Sequence, residues 1–421
     1  MRLSNRARGF ESHTLRHFLF QEGSTMDFFK KHLSTLSLIG LLAGVLFGLF
    51  CPQHTDSISF IGAYYVQFLK YMIVPVVFTS IVVAVYDSSR YKDKIIGKTL
   101  FVFVTMFVCT FLISSLVVTL VDPVKGFTFE GEKWSGSTTD FSIINILTNL
   151  IPKDLKKFFS GGYLFSLILL SVIVGFVCGK IKNGHTVITY VQKAKAFFFK
   201  VLEYFMYVTP LASFSLISNT VAKYGSVLLG VGVRYILTAY LCALIAVILV
   251  MILPVLLICK MSPVTFLKKV YKVWMVTVST CSSGATLPYT IKVCKEEFNI
   301  PERITDVVVP LGTTIHMCGG AVSFALLGLF CSRMYGVEIT LSKYLLMLVS
   351  ATLINMAAPG IPNGGVVIGA SYLQILGIPL DFIGFYSGIY KLLDMCYTTL
   401  NVTDDIASNV IVNRMCEKQK A

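Results

Sequence analysis

Long apolar runs, each about wide enough to cross the hydrocarbon core of a bilayer, alternate along this chain with short gaps in which lysine and arginine collect. Lipid cannot satisfy a backbone polar group, so a chain of this pattern folds as a bundle of spanning helices. Composition agrees: hydrophobic residues make up 55% and charged ones 14%, against roughly 25% charged in soluble domains. That excludes a disordered chain and argues against a soluble enzyme. Lys+Arg 36 against Asp+Glu 22 leaves a net charge of +14. A nucleic-acid binder would gather such charge on polar amphipathic elements. Here it sits between the apolar runs, the pattern of cytoplasmic loops. The 11 cysteines form no CxxC pair and lie mostly within apolar runs, so they read as small packing residues.

The first 25 residues carry Arg2, Arg6, Arg8 and Arg16 without a long apolar core, the marks of neither a spanning helix nor a signal peptide, and Met26 is a candidate start. Lys30 and Lys31 precede a span at Leu33 to Phe50, which sets the amino terminus in the cytoplasm. Further spans are expected at Ile58 to Tyr86, Thr99 to Val121, Tyr163 to Gly179, Val201 to Val221 and Val227 to Cys259. Basic gaps, such as Arg90 to Lys98 and Lys260 to Lys272, alternate with lysine-poor ones, and the polar stretch Asp122 to Phe159 is external.

After Lys272 the apolar segments are broken by small and polar residues: Ser279 to Thr286, Thr313 to Gly320 inside a span at Ile304 to Phe330, and Ala357 to Gly365. Irregular backbone at membrane depth survives only when buried in protein or lining a polar cavity, and paired breaks point to a transporter's binding site. Two inverted units follow, Lys272 to Phe330 and Leu341 to Asn413, each a re-entrant helical hairpin and a spanning helix; the plainer reading is helix kinks and packing glycines. The last helix, Asp381 to Asn413, carries Asp394, Thr398, Asn401 and Asp405 at spacings of 4, 3 and 4, hence on one face, with Lys391 extending it. A charge at the bilayer centre costs about 2.5–3.5 kcal/mol, so such a stripe faces a wet or ion-filled interior. For Lys391 and Asp394 alone, a mutually neutralising pair is the plainer account. Asp405 suits a small hard cation, Asp394 a substrate ammonium and Asn401 a substrate carboxylate. The tip Ser282-Ser283-Gly284 offers hydroxyls and helix-terminal N–H groups to an anion. Together they fit a free amino acid.

These residues resemble the dicarboxylate/amino acid:cation symporters, the glutamate-transporter family, over about Phe29 to Glu417. The likeness rests on Thr280 to Pro288, Pro310 to Ile315, Gly360-Ile-Pro362, and Asp394 through Asn401-Val-Thr-Asp-Asp405, with Leu69 to Pro75 and Leu150-Ile-Pro152 in support. It implies an all-α polytopic membrane protein of eight transmembrane helices plus two re-entrant hairpins, assembled as a homotrimer and working as an elevator. The expected division is a cytoplasmic tail 1–32, scaffold helices 33–98, a transport-domain helix 99–121, external loop and scaffold helices 122–225, transport domain 226–415 and a cytoplasmic tail 416–421. By the same resemblance, Asp394 takes the substrate amino group, with Thr398, Asn401, Ser282, Ser283 and the second hairpin's Gly360, Ile361 and Pro362 around the substrate. Asp405 with backbone near Gly312, His316 and Asn401 forms one sodium site, and Thr314, Met317 and hairpin 2 backbone another.

Two departures carry the functional expectation. Glutamate and aspartate members have an arginine three residues after the helix 8 aspartate; here it is Tyr397, and a hairpin 1 arginine of many prokaryotic members is Cys281. A substrate carboxylate loses its bidentate partner, so a neutral amino acid is favoured over an acidic one. The family's Asn-Met-Asp-Gly is here His316-Met317-Cys318-Gly319, and cysteine is a poor ligand for hard sodium. Where helix 3 supplies hydroxyls to the same deep site, Met106 and Phe107 align. One cation site is expected to be lost, with His316 either a proton carrier in its place or a neutral, hydrogen-bonded side chain. The resemblance also brings Cys281, Cys318 and Cys396 near one another.

The chain therefore reads as a secondary symporter of the plasma membrane (bacterial inner membrane), termini cytoplasmic, taking up an amino acid with Na+. The alternative is a sodium- or proton-coupled carrier of glutamate, aspartate or a C4-dicarboxylate. A channel would show a repeated filter sequence instead. An intramembrane enzyme would need a nucleophile and base, for which only Ser283 and His316 offer themselves, so no catalytic activity is expected.

Overall fold

The computed structural model describes residue 32 and residues 35–37, 39–90, 94–127, 164–224, 227–356 and 364–417. The amino-terminal tail, most of the stretch Asp122 to Phe159 expected to be external, Leu150-Ile151-Pro152, and Gly360, Ile361 and Pro362 of the expected second hairpin lie outside the described residues. Among the described residues the regular elements are all helical. They are α1 (Thr35–Phe50), then α2 (Ser59–Arg90), α3 (Lys94–Val121), α4 (Leu164–Lys180), α5 (Gly184–Met206), α6 (Thr209–Tyr224) and α7 (Val227–Ala246). After α8 (Leu253–Cys259) come α9 (Pro263–Thr280), α10 (Ser283–Glu296), α11 (Glu302–Ile315), α12 (Cys318–Met334), α13 (Leu341–Asn355), α14 (Gly364–Ile375) and α15 (Phe382–Glu417).

The protein is an integral membrane protein. Helical stretches Pro52–Asp87, Ile95–Val121, Gly230–Cys259 and Glu302–Met334 are long and apolar enough to cross a bilayer. Leu120, Leu237, Leu244 and Leu257 are exposed on their helices, a disposition that suits lipid rather than water.

Two expected spans have a finer structure. The lysine-bearing stretch before Val201 is itself helical, and the fifth apolar run is divided between α5 and α6 at Tyr207-Val208. Pro210 is the second residue of α6, where a missing N–H costs no hydrogen bond. The sixth run passes from α7 to α8 through a π-helical turn, Val247–Ile252. Pro254 follows at once; its ring would clash with a carbonyl one turn back, and a widened turn relieves the clash.

The interruptions are local. Ser262 caps α9, its Oγ accepting from Thr265 N at 3.2 Å. α9 ends on Cys281 in the left-handed region (φ 47), Ser282 is extended, and α10 leaves on a new axis. α11 and α12 are parted only by the extended pair His316 and Met317, a shorter break than the sequence interval Thr313 to Gly320. α15 is continuous over 36 residues and buried along most of its length.

α2 lies against α4, α5 and α6, whereas α3 lies against α7, α12 and α15. α15 also packs on α6, α9, α11 and α14, so its polar face is walled by the broken helices.

Candidate functional site

The site grows from one helical face. Asp394, Thr398 and Asn401 of α15 are each at least nine-tenths buried. Thr398 Oγ1 donates to Asp394 Oδ1 at 3.1 Å, which presents the carboxylate in a fixed orientation. Asn401 Oδ1 accepts the Gly319 backbone N–H at 2.7 Å, tying α15 to the break before α12. Gly319 is required there: a Cβ would run into the Tyr397 carbonyl. The cavity above this face is lined by Ser283, Met317, Asp394, Tyr397, Thr398 and Asn401, so most of the residues expected around a substrate are brought together. Cys281 and Asn355 join them.

Ser282 plays a different local part. Its Oγ accepts from Ala285 N at 3.2 Å and caps α10, while Ser283 is the serine on the cavity wall. Tyr397 is 3% exposed, and its hydroxyl faces Ser323 on the cavity wall. A polar group so placed can also pair with whatever enters the cavity. Lys391 sets its ammonium 3.0 Å from Cys281 Sγ, closer to the cavity than its sequence distance from Tyr397 implies.

A second polar cluster lies deeper on α15. Asp405 is fully buried, and Thr313 Oγ1 donates to its Oδ2 at 3.2 Å. Oδ1 lies against Gly312, where a Cβ would collide with it, and has no hydrogen-bond partner among the described residues. A carboxylate oxygen held bare beside backbone is a hard donor suited to a small cation. Thr314 spends its hydroxyl proton on Leu311 O at 2.8 Å, leaving its oxygen as an acceptor. His316 turns its side chain away from Asp405: Nε2 meets Asp404 Oδ2, and the ring stacks on Phe103 at 4.2 Å between centroids.

The sequence reading left Asp404, Thr313, Asn355 and Thr110 without roles. Asp404 stood in the Asp404-Asp405 pair, but off the polar stripe. In α3, Met106 accepts from Ser408 Oγ at 3.2 Å, and the hydroxyl directed at Cys318 is that of Thr110, one turn beyond the aligned pair. The three thiols expected near one another make separate contacts: Cys281 with Lys391, Cys318 with His316 and Cys396 beside Cys242.

The family model described as the sodium:dicarboxylate symporter family matches residues 33–415. Among similar proteins, a C4-dicarboxylate transport protein of Rhizobium etli is 24% identical over 398 residues, covering 92% of this chain and 89% of its own. A proton/sodium-glutamate symport protein of Geobacillus stearothermophilus is 24% identical over 391 residues, covering 89% of this chain and 92% of its own.

Proposed function

The chain belongs to the sodium:dicarboxylate symporter family, and from that premise we propose that it is a sodium-coupled secondary symporter of a free amino acid, with a neutral side chain preferred. The observation that carries this is Tyr397. Where the acidic-substrate members place a guanidinium, this chain has a buried, uncharged phenol on the cavity wall beside Ser323. Asp394, steadied by Thr398, holds the substrate ammonium, and Asn401 and the Ser283 tip take its carboxylate. Tyr397 then offers its hydroxyl to a small polar side chain. A second carboxylate would enter with no guanidinium to meet it, and a buried unpaired carboxylate is strongly unfavourable.

Sodium, as co-transported substrate, is held by Asp405 with backbone near Gly312, His316 and Asn401, and a second ion by Thr314, Met317 and hairpin 2. Asp405 Oδ1, bare beside Gly312, supports the first. Eight spanning helices and two re-entrant hairpins, α9–α10 and α13–α14, form the proposed topology, with both termini cytoplasmic. The scaffold of residues 33–98 and 122–225 stays fixed in a homotrimer. The transport domain of residues 99–121 and 226–415 carries the substrate across, and the second hairpin is the outer gate. The packing of α2 on α4–α6 and of α3 on α7, α12 and α15 supports that division, with α6 against α15 and α2 against α14 as the surfaces between the two parts.

A second reading is an acidic amino acid or C4-dicarboxylate carrier, with Lys391, 3.0 Å from the cavity-lining Cys281, as carboxylate partner. Proteoliposomes under an imposed sodium gradient or an imposed pH gradient separate the readings. Labelled serine, alanine, glutamine, methionine, glutamate, aspartate and succinate form the panel. Sodium-driven uptake of neutral amino acids, unaffected by excess glutamate, is expected. Preferred uptake of glutamate or succinate overturns the preference, and drive by the pH gradient alone overturns the coupling ion.

A further inference from the structure

We propose that His316, Cys318 and Asp404 form a binding site for a single divalent cation of the zinc class, distinct from the sodium site built on Asp405. The ligand atoms of these three side chains lie within 4.8 Å of one another, and all three residues are buried. Donors about 2.0–2.3 Å from a shared tetrahedral ion stand roughly 3.3–3.8 Å apart, so an ion would part His316 Nε2 from Asp404 and draw Cys318 Sγ slightly inward. His316 Nε2 meets Asp404 Oδ2 on one side and lies 4.0 Å from Cys318 Sγ on the other. Stacking on Phe103 fixes the plane of the imidazole.

Three features point to an ion beyond a simple ion pair. Asp404 is fully buried, and the Cys318 thiol reaches its carboxylate as well as His316 does, so three donor groups converge on one point. The Thr110 hydroxyl, also fully buried, faces Cys318 from α3 and stands ready for a fourth position. The third feature is charge. Asp404 and Asp405 are adjacent buried carboxylates, and among the described residues their one ion pair is that with His316. A divalent ion bound by the Asp404 carboxylate and the Cys318 thiolate, with neutral His316, balances to zero. It leaves Asp405 as a single negative charge for a monovalent partner, whereas two unbalanced buried carboxylates would be costly. Imidazole, thiolate and carboxylate together are the donor set of zinc and cobalt, and the thiolate disfavours sodium. Binding releases two protons to solvent, that of the Cys318 thiol and the one held between His316 Nε2 and Asp404, as the three donor atoms bond the ion in their place. The bound ion would tie the break between α11 and α12 to α15 as a fixed structural link, independent of which amino acid is carried.

Cobalt(II) reports the site directly. The full chain is purified in detergent without sodium, stripped with chelator, and titrated with Co2+; a second batch receives Co2+ during growth. Expected is one Co2+ per chain, with a thiolate-to-cobalt charge-transfer band, four-coordinate visible absorption, and displacement by Zn2+. Cys318→Ser abolishes the band, and Asp404→Asn weakens binding by more than the roughly 10–100-fold that loss of an outer partner costs. Cys109→Ser, on an exposed position, leaves the band intact. Sodium-dependent thermal stabilisation, retained in Cys318→Ser, shows that this variant is folded; if it unfolds, Cys318→Ala and His316→Gln serve in its place. Absence of the band from the unaltered chain in both batches, or its persistence in folded Cys318 variants, overturns the proposal.

Discussion

Asp404 and Asp405 are neighbours in sequence but serve different partners, because successive helical residues point about 100° apart. Asp405 faces Gly312 and Thr313, and Asp404 faces His316. Replacing Asp405 by Asn keeps the shape and removes the charge that a cation needs. Ligand binding stabilises a native state by about 2.7 kcal/mol at a hundredfold excess over Kd. Asp405→Asn is therefore expected to lose the share of sodium-dependent stabilisation that this site supplies in thermal unfolding, while the sodium-free transition moves little. At Gly319 the limit is space. A methyl group there meets the Tyr397 carbonyl and strains the N–H donated to Asn401. Overpacking of this kind costs about 1–3 kcal/mol, so Gly319→Ala should lower the unfolding temperature and substrate uptake together.

Among the elements, the break between α9 and α10 shows how the proposed hairpin tip is made from a few residues. Cys281 takes a left-handed conformation and Ser282 caps the next helix. A side chain in that region costs roughly 1–2 kcal/mol, most for β-branched residues. Cys281→Gly should keep or raise thermal stability, and Cys281→Val should lower it, as read by the unfolding midpoint of purified protein. Much of this layout was legible in the sequence, because apolar runs and Gly/Pro/Ser breaks act locally. α4 falls within one residue of the expected span, and Asp394, Thr398 and Asn401 of the α15 stripe line one cavity, while Asp405 lies in the deeper cluster. What sequence could not give is register between distant elements. Thr110 reaches Cys318 through the packing of α3 on α12, and Asn355 reaches the cavity from α13, contacts that depend on neighbouring helices rather than on periodicity. The division of α5 from α6 was hidden because amphipathic α5 shares apolar residues with the run that follows it.

For the whole molecule, the proposed elevator needs a surface on which its two parts can slide. α15 turns Gly384 and Gly388 toward α6 and α1: a Cβ at Gly384 would press on Leu216, and one at Gly388 on Leu41. Gly384→Leu should wedge the two parts together. The expected outcome is loss of uptake in proteoliposomes with sodium-dependent thermal stabilisation retained; a variant that transports normally would show that this surface does not move. The account as a whole turns on Tyr397 as the group that decides which substrate is carried. The most direct measurement compares uptake of labelled serine, alanine, glutamate and succinate by the unaltered protein and by Tyr397→Arg in proteoliposomes with a sodium gradient. The account predicts that the unaltered protein prefers the neutral amino acids and that the arginine shifts preference toward glutamate. Uptake of glutamate or succinate by the unaltered protein, or a preference unchanged by the arginine, would contradict it.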